Sequence, residues 1–262
     1  KPSIGFLSIG VYIIYNIKDW IQVKEEIKPD NLKSIFPKNV LDTSHFIIED
    51  FLQGEEYAID YYHNDKGEVI ILNILHHVFS SEKDTRDRVY STSKAIINQH
   101  KLKLEEFLSK IGNKLQLKNF PAHAEVRIDE KGKIVPIEIN PLRFGGWCTT
   151  ADLSGVAVGI NTYKYYFENT YPNWDTIFKG KENKIFSIIV LDNASGIKPN
   201  DISKFDFEAL ANDFENPILI RELDIKKYPL FGFVFTETDF DNKKELYDIL
   251  SSDLKKYISI KK

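Results

Sequence analysis

The most informative segment, His123 to Gly146, reads His-Ala-Glu-Val-Arg-Ile-Asp-Glu-Lys-Gly-Lys-Ile-Val-Pro-Ile-Glu-Ile-Asn-Pro-Leu-Arg-Phe-Gly-Gly. Its Asp-Glu-Lys-Gly run at positions 129–132 is typical of a tight turn between two strands. The segment therefore predicts a β-hairpin, with one strand at about 122–128 and the return strand at about 133–139.

Acidic and amide side chains fall on particular faces of this predicted hairpin. Side chains alternate along a strand, so His123, Glu125 and Arg127 share one face. On the return strand Glu138 and Asn140 share a face. If the two faces coincide, two carboxylates and an amide oxygen converge, and hard oxygen ligands of this kind suit Mg²⁺. The alternative is a surface hairpin with ordinary charged residues.

Length, composition and charge set limits on the class of protein. The 262 residues suffice for one large domain or two smaller ones, and a hydrophobic content of 42% can build a core. The net charge of −4, from 35 basic and 39 acidic residues, argues against a nucleic-acid partner, because such domains are usually basic. A local basic groove for a nucleotide is compatible with this balance.

Neither a membrane segment nor a disulfide is expected. No apolar run approaches the roughly 20 residues that span a bilayer, so we expect no membrane partner. The lone cysteine, Cys148, cannot form an internal disulfide, which favours a cytoplasmic location. Its neighbours Trp147 and Thr149 supply no base, so we predict a small buried residue rather than a nucleophile.

Pattern and composition divide the chain into two domains. We predict a nucleotide-binding and catalytic domain at 1–171, a linker at 172–184 and a small C-terminal α/β domain at 185–262. The chain begins with Lys1 and contains no Met. This indicates either a fragment of a longer protein or a sequence from which residues are missing.

Secondary structure is predicted from hydrophobic periodicity. Strands are expected at Val11–Tyr15 and at Phe46–Leu52, and an antiparallel meander is expected from 57 to 78. Helical spacing of apolar residues predicts helices near 94–99 and over 102–115.

The N-terminal segment carries a loop suited to phosphate. Gly5 and Gly10 let a backbone approach closely, and successive N–H groups can form an anion-binding nest. Ser3 and Ser8 add hydroxyl donors, and Lys1 supplies a positive charge. For this loop taken alone, a plain hairpin turn is an equal alternative.

A second motif reads Glu49-Asp-Phe-Leu-Gln-Gly-Glu-Glu56. A strand that ends in a short connector exposes backbone N–H and C=O groups, which can pair with an adenine edge. A following carboxylate can accept hydrogen bonds from both ribose hydroxyls. Taken alone, this motif is better explained as an acidic turn between two strands.

All three motifs, in this order, resemble the ATP-grasp superfamily, which includes biotin carboxylase, D-alanine–D-alanine ligase and carbamoyl phosphate synthetase. The resemblance covers about residues 1–159 and implies an α+β fold of antiparallel sheets with flanking helices. Family members usually carry an N-terminal Rossmann-like domain that this sequence lacks, which supports the fragment interpretation. The matching residues are Lys1-Pro-Ser-x-Gly-x-x-Ser-x-Gly-Val11, Glu49-Asp-Phe-Leu-x-Gly-x-Glu56, and Glu125 followed by Glu138-Ile-Asn-Pro-Leu-Arg143-Phe-Gly-Gly146.

The resemblance also implies roles for the matching residues. Two Mg²⁺ ions, with Mn²⁺ as an alternative, would be held by Glu125, Asn140 and a bridging Glu138. Arg143 would face the transferred phosphate or a substrate carboxylate, although one residue more precedes it than in some relatives. The ATP-binding set would be Lys1, Ser3, Gly5, Ser8, Gly10, Glu49, Asp50, Leu52 and Glu56.

Further arginines are candidates for contact with an anionic substrate. Arg127 shares the face of Glu125, and we place it with Arg143 among the catalytic residues. Arg86 and Arg88 lie on a predicted loop at 80–93, where a carboxylate substrate would find a guanidinium fork. A solvated charge cluster is an equal alternative for each of them.

The resemblance implies an enzyme, a ligase that activates a carboxylate with ATP. Such a ligase converts Mg-ATP to ADP, forms an acylphosphate and passes the acyl group to an amine or thiol. We expect small carboxylate and amine substrates, such as an amino acid, and a homodimer is compatible with the sequence. Two other functions stay open: a non-catalytic ATP-binding or sensing module, and carbamoyl-phosphate-type chemistry with bicarbonate.

Overall fold

The computed structural model describes residues 1–5, 8–28, 41–81 and 84–261. Two compact units divide the chain. The smaller unit comprises Lys1–Leu52 with Phe79–Asp87, and the larger comprises Gln53–Val78 with Arg88–Lys262.

The smaller unit contains the strands β1 (Pro2–Ile4) and β2 (Asp42–Phe46) and the helix α1 (Ile17–Glu26). The two strands pair antiparallel. The helix begins where Asn16 caps it, because the Asn16 side chain accepts hydrogen bonds from the N–H groups of Lys18 and Asp19.

Two strands predicted in this unit are wrong. Residues 11–15 are irregular, because the chain is already turning into α1 and the Tyr15 N–H donates to the Asp19 carboxylate (2.9 Å). The second predicted strand, Phe46–Leu52, stops at Phe46. The Ile47 N–H still donates to the Lys1 carbonyl (2.8 Å), but β1 is only three residues long and offers no further partner positions.

The larger unit carries ten strands among the described residues. They are β3 (Glu55–His63), β4 (Val69–Val78), β5 (Val89–Thr92), β6 (Phe120–Ile128), β7 (Ile134–Pro141), β8 (Lys184–Asp192), β9 (Ile202–Phe205), β10 (Asn216–Glu222), β11 (Leu230–Asp239) and β12 (Ile258–Ile260). Eight of them form one antiparallel sheet in the order β10-β11-β8-β5-β4-β3-β6-β7, and β9 pairs with β12. The predicted hairpin is β6–β7 and the predicted meander is β3–β4, so both are confirmed, as is the α+β class.

Helices of the larger unit are α2 (Lys94–Leu115), α3 (Thr149–Val158), α4 (Thr162–Phe167), α5 (Trp174–Ile177), α6 (Phe207–Ala211) and α7 (Lys244–Ser251). The two helical stretches predicted between 94 and 115 form one helix, α2. Its first turn is capped by the Ser93 hydroxyl, which accepts from the Ile96 N–H (3.3 Å). Within the described residues, no helix has both the length and the apolar character needed to cross a membrane.

Helix α2 packs against one face of the large sheet. The ring of Tyr57 on β3 lies 4.3 Å from that of His100 on α2, measured between centroids. Because side chains alternate along β3, Glu56 and Asp60 point to the opposite face. The face that Glu56 and Asp60 share, at the β3–β6–β7 end of the sheet, positions the candidate site, and it also carries buried apolar residues such as Tyr62.

The predicted C-terminal domain shares the large sheet with the rest of the unit. Strand β8 pairs with β5, and Val89 of β5 packs in the same apolar cluster as Phe231 and Leu250. The predicted linker at 172–184 contains α5. The boundaries of the two compact units differ from the predicted domain boundary near 172, which stays a prediction.

Candidate active site

The predicted ligands meet across the β6–β7 hairpin. Glu125 is directly opposite Glu138, and His123 is directly opposite Asn140. Side chains at directly opposite positions point to the same face, with Cβ atoms about 4.5–5.5 Å apart. The register therefore places the two carboxylates and the amide together, as the sequence predicts for this hairpin.

Glu125 and Glu138 together form an acidic pair, and Asn140 is hydrogen-bonded to it. Its Nδ2 atom donates to Glu138 Oε1 (2.6 Å). Glu138 is exposed, because β7 is an edge strand of the sheet. Solvent, and any ion or ligand in it, can therefore reach this carboxylate.

A buried ion-pair network stands next to Glu125. His123 Nδ1 is 2.7 Å from Asp60 Oδ1, and His123 Nε2 is 3.5 Å from Glu125 Oε1. Burial alone would lower the pKa of His123, but its hydrogen bonds and charge interactions with Asp60 and Glu125 outweigh burial and raise it to about 9. His123 is therefore a cation at neutral pH.

Glu125 is an anion in the same network. Burial alone would raise the pKa of its carboxyl, but the interaction with His123 outweighs burial, and the charges of His77 and Arg143 act in the same direction. The pKa is lowered overall, so the group is ready to bind a cation at neutral pH.

A second network holds Glu56, the predicted ribose ligand. His77 Nδ1 is 2.8 Å from its Oε1, and Arg127 Nε (3.2 Å) and Nη2 (3.1 Å) both donate to its Oε2. The His77 ring stacks on Tyr90, with centroids 4.0 Å apart. A ribose hydroxyl would add to these contacts, because a carboxylate has about four acceptor sites. Arg127, predicted as catalytic, contacts this carboxylate.

Arg143 stands on a loop with unusual backbone geometry. Its Nη1 donates to the Phe144 carbonyl (2.9 Å). Three non-glycine residues of the loop have positive φ, a costly conformation that concentrates at functional sites: Leu142 (60°), Trp147 (57°) and Cys148 (58°). The Gly145 N–H ties the loop to the sheet by donating to Asp60 Oδ1 (2.9 Å).

Cys148 is exposed, so the prediction that it is buried is wrong. It follows the loop at the start of α3, where its Sγ lies 3.7 Å from the Tyr163 hydroxyl. The small size of the side chain did not decide its burial, because Cys148 is the N-cap residue of α3, in a left-handed conformation.

The predicted phosphate-loop residues belong to the smaller unit. Lys1 Nζ forms an ion pair with Glu49 Oε2 (2.6 Å), so two predicted ATP ligands contact each other. The Ser8 hydroxyl donates to Asp87 Oδ1 (3.1 Å), and Gly10 has a φ of 74°. Ser3 and Gly5 are exposed. Residues 6 and 7 of this predicted loop lie outside the described residues.

The predicted adenine residues follow β2 in irregular backbone. Glu49 and Asp50 are exposed, and Leu52 is half-buried. The predicted roles of Glu49, Asp50 and Leu52 are compatible with this geometry and stay predictions.

The two predicted substrate arginines have different surroundings. Arg86 forms a two-pronged contact with Asp84, through Nε to Oδ1 (2.9 Å) and Nη2 to Oδ2 (3.1 Å). Arg88 is 0% exposed, and its Nη2 is 2.6 Å from Asp192 Oδ1. Arg88 lies in the irregular segment just before β5, as predicted, but its side chain is buried, so it cannot meet a substrate in this conformation.

Neither Asp60 nor His77 was identified from the sequence. A signal for Asp60 was present, because a carboxylate interrupts the apolar run Tyr57-Ala-Ile-Asp-Tyr-Tyr62. Its parity with Glu56 along β3 places it on the face of the acidic pair. The partners of Asp60 could not be read from the sequence, because they come from β6 and from the loop of Arg143.

The donor set at the hairpin fits a hard divalent cation. Across the described ranges, no three His, Cys, Asp or Glu side chains lie close enough to hold a metal ion by themselves. The protein would therefore supply two carboxylates and an amide oxygen as metal ligands, and the remaining ligands would come from elsewhere. Mg²⁺ is commonly bound in this way, with one or two carboxylates supplemented by phosphates and water.

Comparison with known proteins now identifies the family. A family model described as an ATP-grasp domain matches residues 1–151, more than half of the chain. The chain therefore belongs to the ATP-grasp family, and the predicted resemblance is confirmed. No curated protein matches the sequence.

Solved structures share the fold at low sequence identity. An L-amino acid ligase from Bacillus licheniformis is 20% identical with a TM-score of 0.57, and the match covers 80% of this chain and 55% of that one. A phosphoribosylaminoimidazole carboxylase ATPase subunit from Aquifex aeolicus is 10% identical with a TM-score of 0.51, over 81% of this chain and 58% of that one. The chain thus spans little more than half the length of these proteins.

Proposed function

We propose that this protein is an ATP-dependent ligase that activates a small carboxylate as an acylphosphate and joins it to an amine. The observation that carries the proposal is the acidic pair with Asn140, in a chain of the ATP-grasp family. Like charges at directly opposite positions destabilise a sheet. A cation bound between Glu125 and Glu138 would remove that repulsion, which gives the pair a reason to exist.

The chain's own residues would manage the charge of two anionic substrates. Mg²⁺, when bound, would neutralise phosphate charge during transfer. His123 keeps Glu125 ionised and oriented, and Asn140 orients Glu138. The positive charge of Arg143 already acts on Glu125, so we assign it the contact with the transferred phosphate or the substrate carboxylate.

The proposed reaction has two steps. A carboxylate oxygen attacks the γ-phosphorus of ATP, the bond to the bridging oxygen breaks, and ADP leaves. The amine nitrogen then attacks the acyl carbon, inorganic phosphate leaves, and the nitrogen releases a proton as the amide forms.

Finer features belong to the same proposal. An amino acid is a natural first substrate, because one molecule supplies both a carboxylate and an amine. The two carboxylates support two Mg²⁺ ions, or Mn²⁺ in their place. A thiol as nucleophile, a homodimer, a cytoplasmic location and a separate C-terminal domain at 185–262 are further proposals from the sequence.

The test is ADP release from Mg-ATP in the presence of paired carboxylates and amines, beginning with amino acids. Glu138→Gln removes one charge of the acidic pair and should lower ADP release by at least about 100-fold. Glu130→Gln is the matched control, because it makes the same substitution at an exposed glutamate in the turn of the same hairpin. The control should retain wild-type turnover.

Two outcomes would contradict the proposal. Near-normal ADP release by folded Glu138→Gln would remove the assigned role of the acidic pair. Nucleotide binding without ADP release from any carboxylate–amine or carboxylate–thiol pair would instead favour a non-catalytic module.

A further inference from the structure

A buried carboxylate behind the acidic pair has no part in the chemistry above. Asp60 is 0% exposed in the middle of an apolar stretch of β3. Its Oδ2 atom has no hydrogen-bond partner in the part of the chain that the structure describes. A buried carboxylate oxygen without a partner disfavours folding, so its presence calls for an explanation.

The other oxygen of Asp60 joins two parts of the candidate site. Oδ1 is 2.7 Å from His123 Nδ1 and accepts from the Gly145 N–H at 2.9 Å. The other ring nitrogen of His123, Nε2, contacts Glu125, and Gly145 lies two residues after Arg143. One atom thus fixes both the imidazole beside the acidic pair and the loop that carries the arginine.

We propose that Asp60 is a positioning residue that holds His123 against Glu125 and the Gly145 backbone against the sheet, so that the acidic pair binds its cation in one fixed geometry. The inference rests on the proposed function. Partners that orient a metal ligand through a second residue commonly contribute about 10–100-fold to metal affinity. Asp60 reaches Glu125 through His123 in this way.

The sheet itself does not require an acid at this position. Neighbouring residues on β3, such as Ala58 and Ile59, are buried and apolar. Within the described residues, Asp60 forms an ion pair with His123 and with no other basic side chain. Its contacts are therefore directed at the site rather than at the core.

The experiment is a titration of the full chain with Mn²⁺ in the presence of ADP, with free Mn²⁺ measured by electron paramagnetic resonance. Asp60→Asn removes the charge while keeping an oxygen that can accept from the Gly145 N–H. We expect this variant to bind Mn²⁺ at least about tenfold more weakly than the wild type. His123→Gln should cause a similar loss, and the double variant should be no worse than either single variant, because both changes break one linkage.

Ser187→Ala is the matched control. Ser187 is fully buried in β8 of the same sheet and shares a hydrogen bond with Ser91 (2.8 Å between the hydroxyls). Its loss should lower the melting temperature while leaving Mn²⁺ affinity within about twofold of the wild type. A purely structural role for Asp60 would give the same result as this control.

The outcomes separate the inference from the proposed function. Wild-type protein that binds no Mn²⁺ with ADP would overturn the proposed function and this inference with it. Wild-type binding that is unchanged in folded Asp60→Asn would overturn the inference alone. If Asp60→Asn does not fold, His123→Gln decides: a loss of affinity supports the linkage, and an unchanged affinity overturns it.

Discussion

Replacing Gly112 by alanine should destabilise the protein, although alanine is the better helix former. Gly112 lies in α2 against His63 of β3. A Cβ atom at this position would stand 2.6 Å from His63 Nδ1 and 2.8 Å from Nε2. The His63 ring is 0% exposed and packs edge-on against Tyr61, so it has no room to move aside. The helix and the sheet must therefore separate.

The magnitude follows from two opposing effects. Alanine in place of glycine in a helix gains about 1 kcal/mol. Overpacking of a core costs about 1–3 kcal/mol, and a clash against a ring on a strand belongs at the upper end. We expect a net loss of about 2 kcal/mol in the free energy of unfolding. For a chain of this size that lowers the melting temperature by about 4–8 °C.

Urea denaturation and thermal melting measure this effect, and Gly155→Ala is the matched control. Gly155 is exposed in α3, and the nearest atom to its added Cβ would be 3.9 Å away. This control should be about 0.5–1 kcal/mol more stable than the wild type. In a His63→Ala background, Gly112→Ala should cease to destabilise. A Gly112→Ala variant as stable as the wild type would refute the reasoning.

Three further predictions concern stability. Burial raises the pKa of Tyr61 to about 12 from 10.0. The protonated phenol of Tyr61 therefore contributes its full stabilisation below pH 10, and about 2–3 kcal/mol of the free energy of unfolding is lost as the pH rises to 12. In urea titrations, the free energy of unfolding of Tyr61→Phe should decline less steeply with rising pH than that of the wild type. Arg221→Lys should lose about 1–3 kcal/mol by chemical denaturation, because lysine cannot replace the two-pronged contacts with Asp152 (2.6 Å) and the Trp147 carbonyl (2.9 Å); unchanged stability would contradict this. Gly54→Ala should lower the melting temperature, because φ is 111° and an added Cβ would stand 2.7 Å from a backbone nitrogen of the neighbouring strand's turn; a melting temperature at or above wild type would count against it.

The hairpin shows what could be predicted well. Strand alternation and a four-residue turn are local properties, so the sequence predicts the hairpin, the shared face of His123 and Glu125, and the shared face of Glu138 and Asn140. Whether the faces of Glu125 and Glu138 coincide depends on the register of the two strands. A one-residue slip would have put one of them on the other face, and the bulge between Glu125 and Val126 shows that the register changes at this point.

The arginines show where prediction from sequence stops. Arg86 and Arg88 are two residues apart in a charged run, and nothing local separates them. Arg88 is buried because Asp192, more than a hundred residues later, lies on the strand β8 that pairs with β5. Burial of this kind is a property of long-range pairing, which periodicity does not report.

The sequence by itself determined the family, the acidic hairpin and the alternating faces of its strands, because these depend on residue order over short distances. Only the tertiary structure decided that β3, β6 and the Arg143 loop meet at Asp60. It also decided that Glu56 is bracketed by His77 and Arg127. These contacts join residues 21 to 85 positions apart, and they form only when the sheet brings its strands into register.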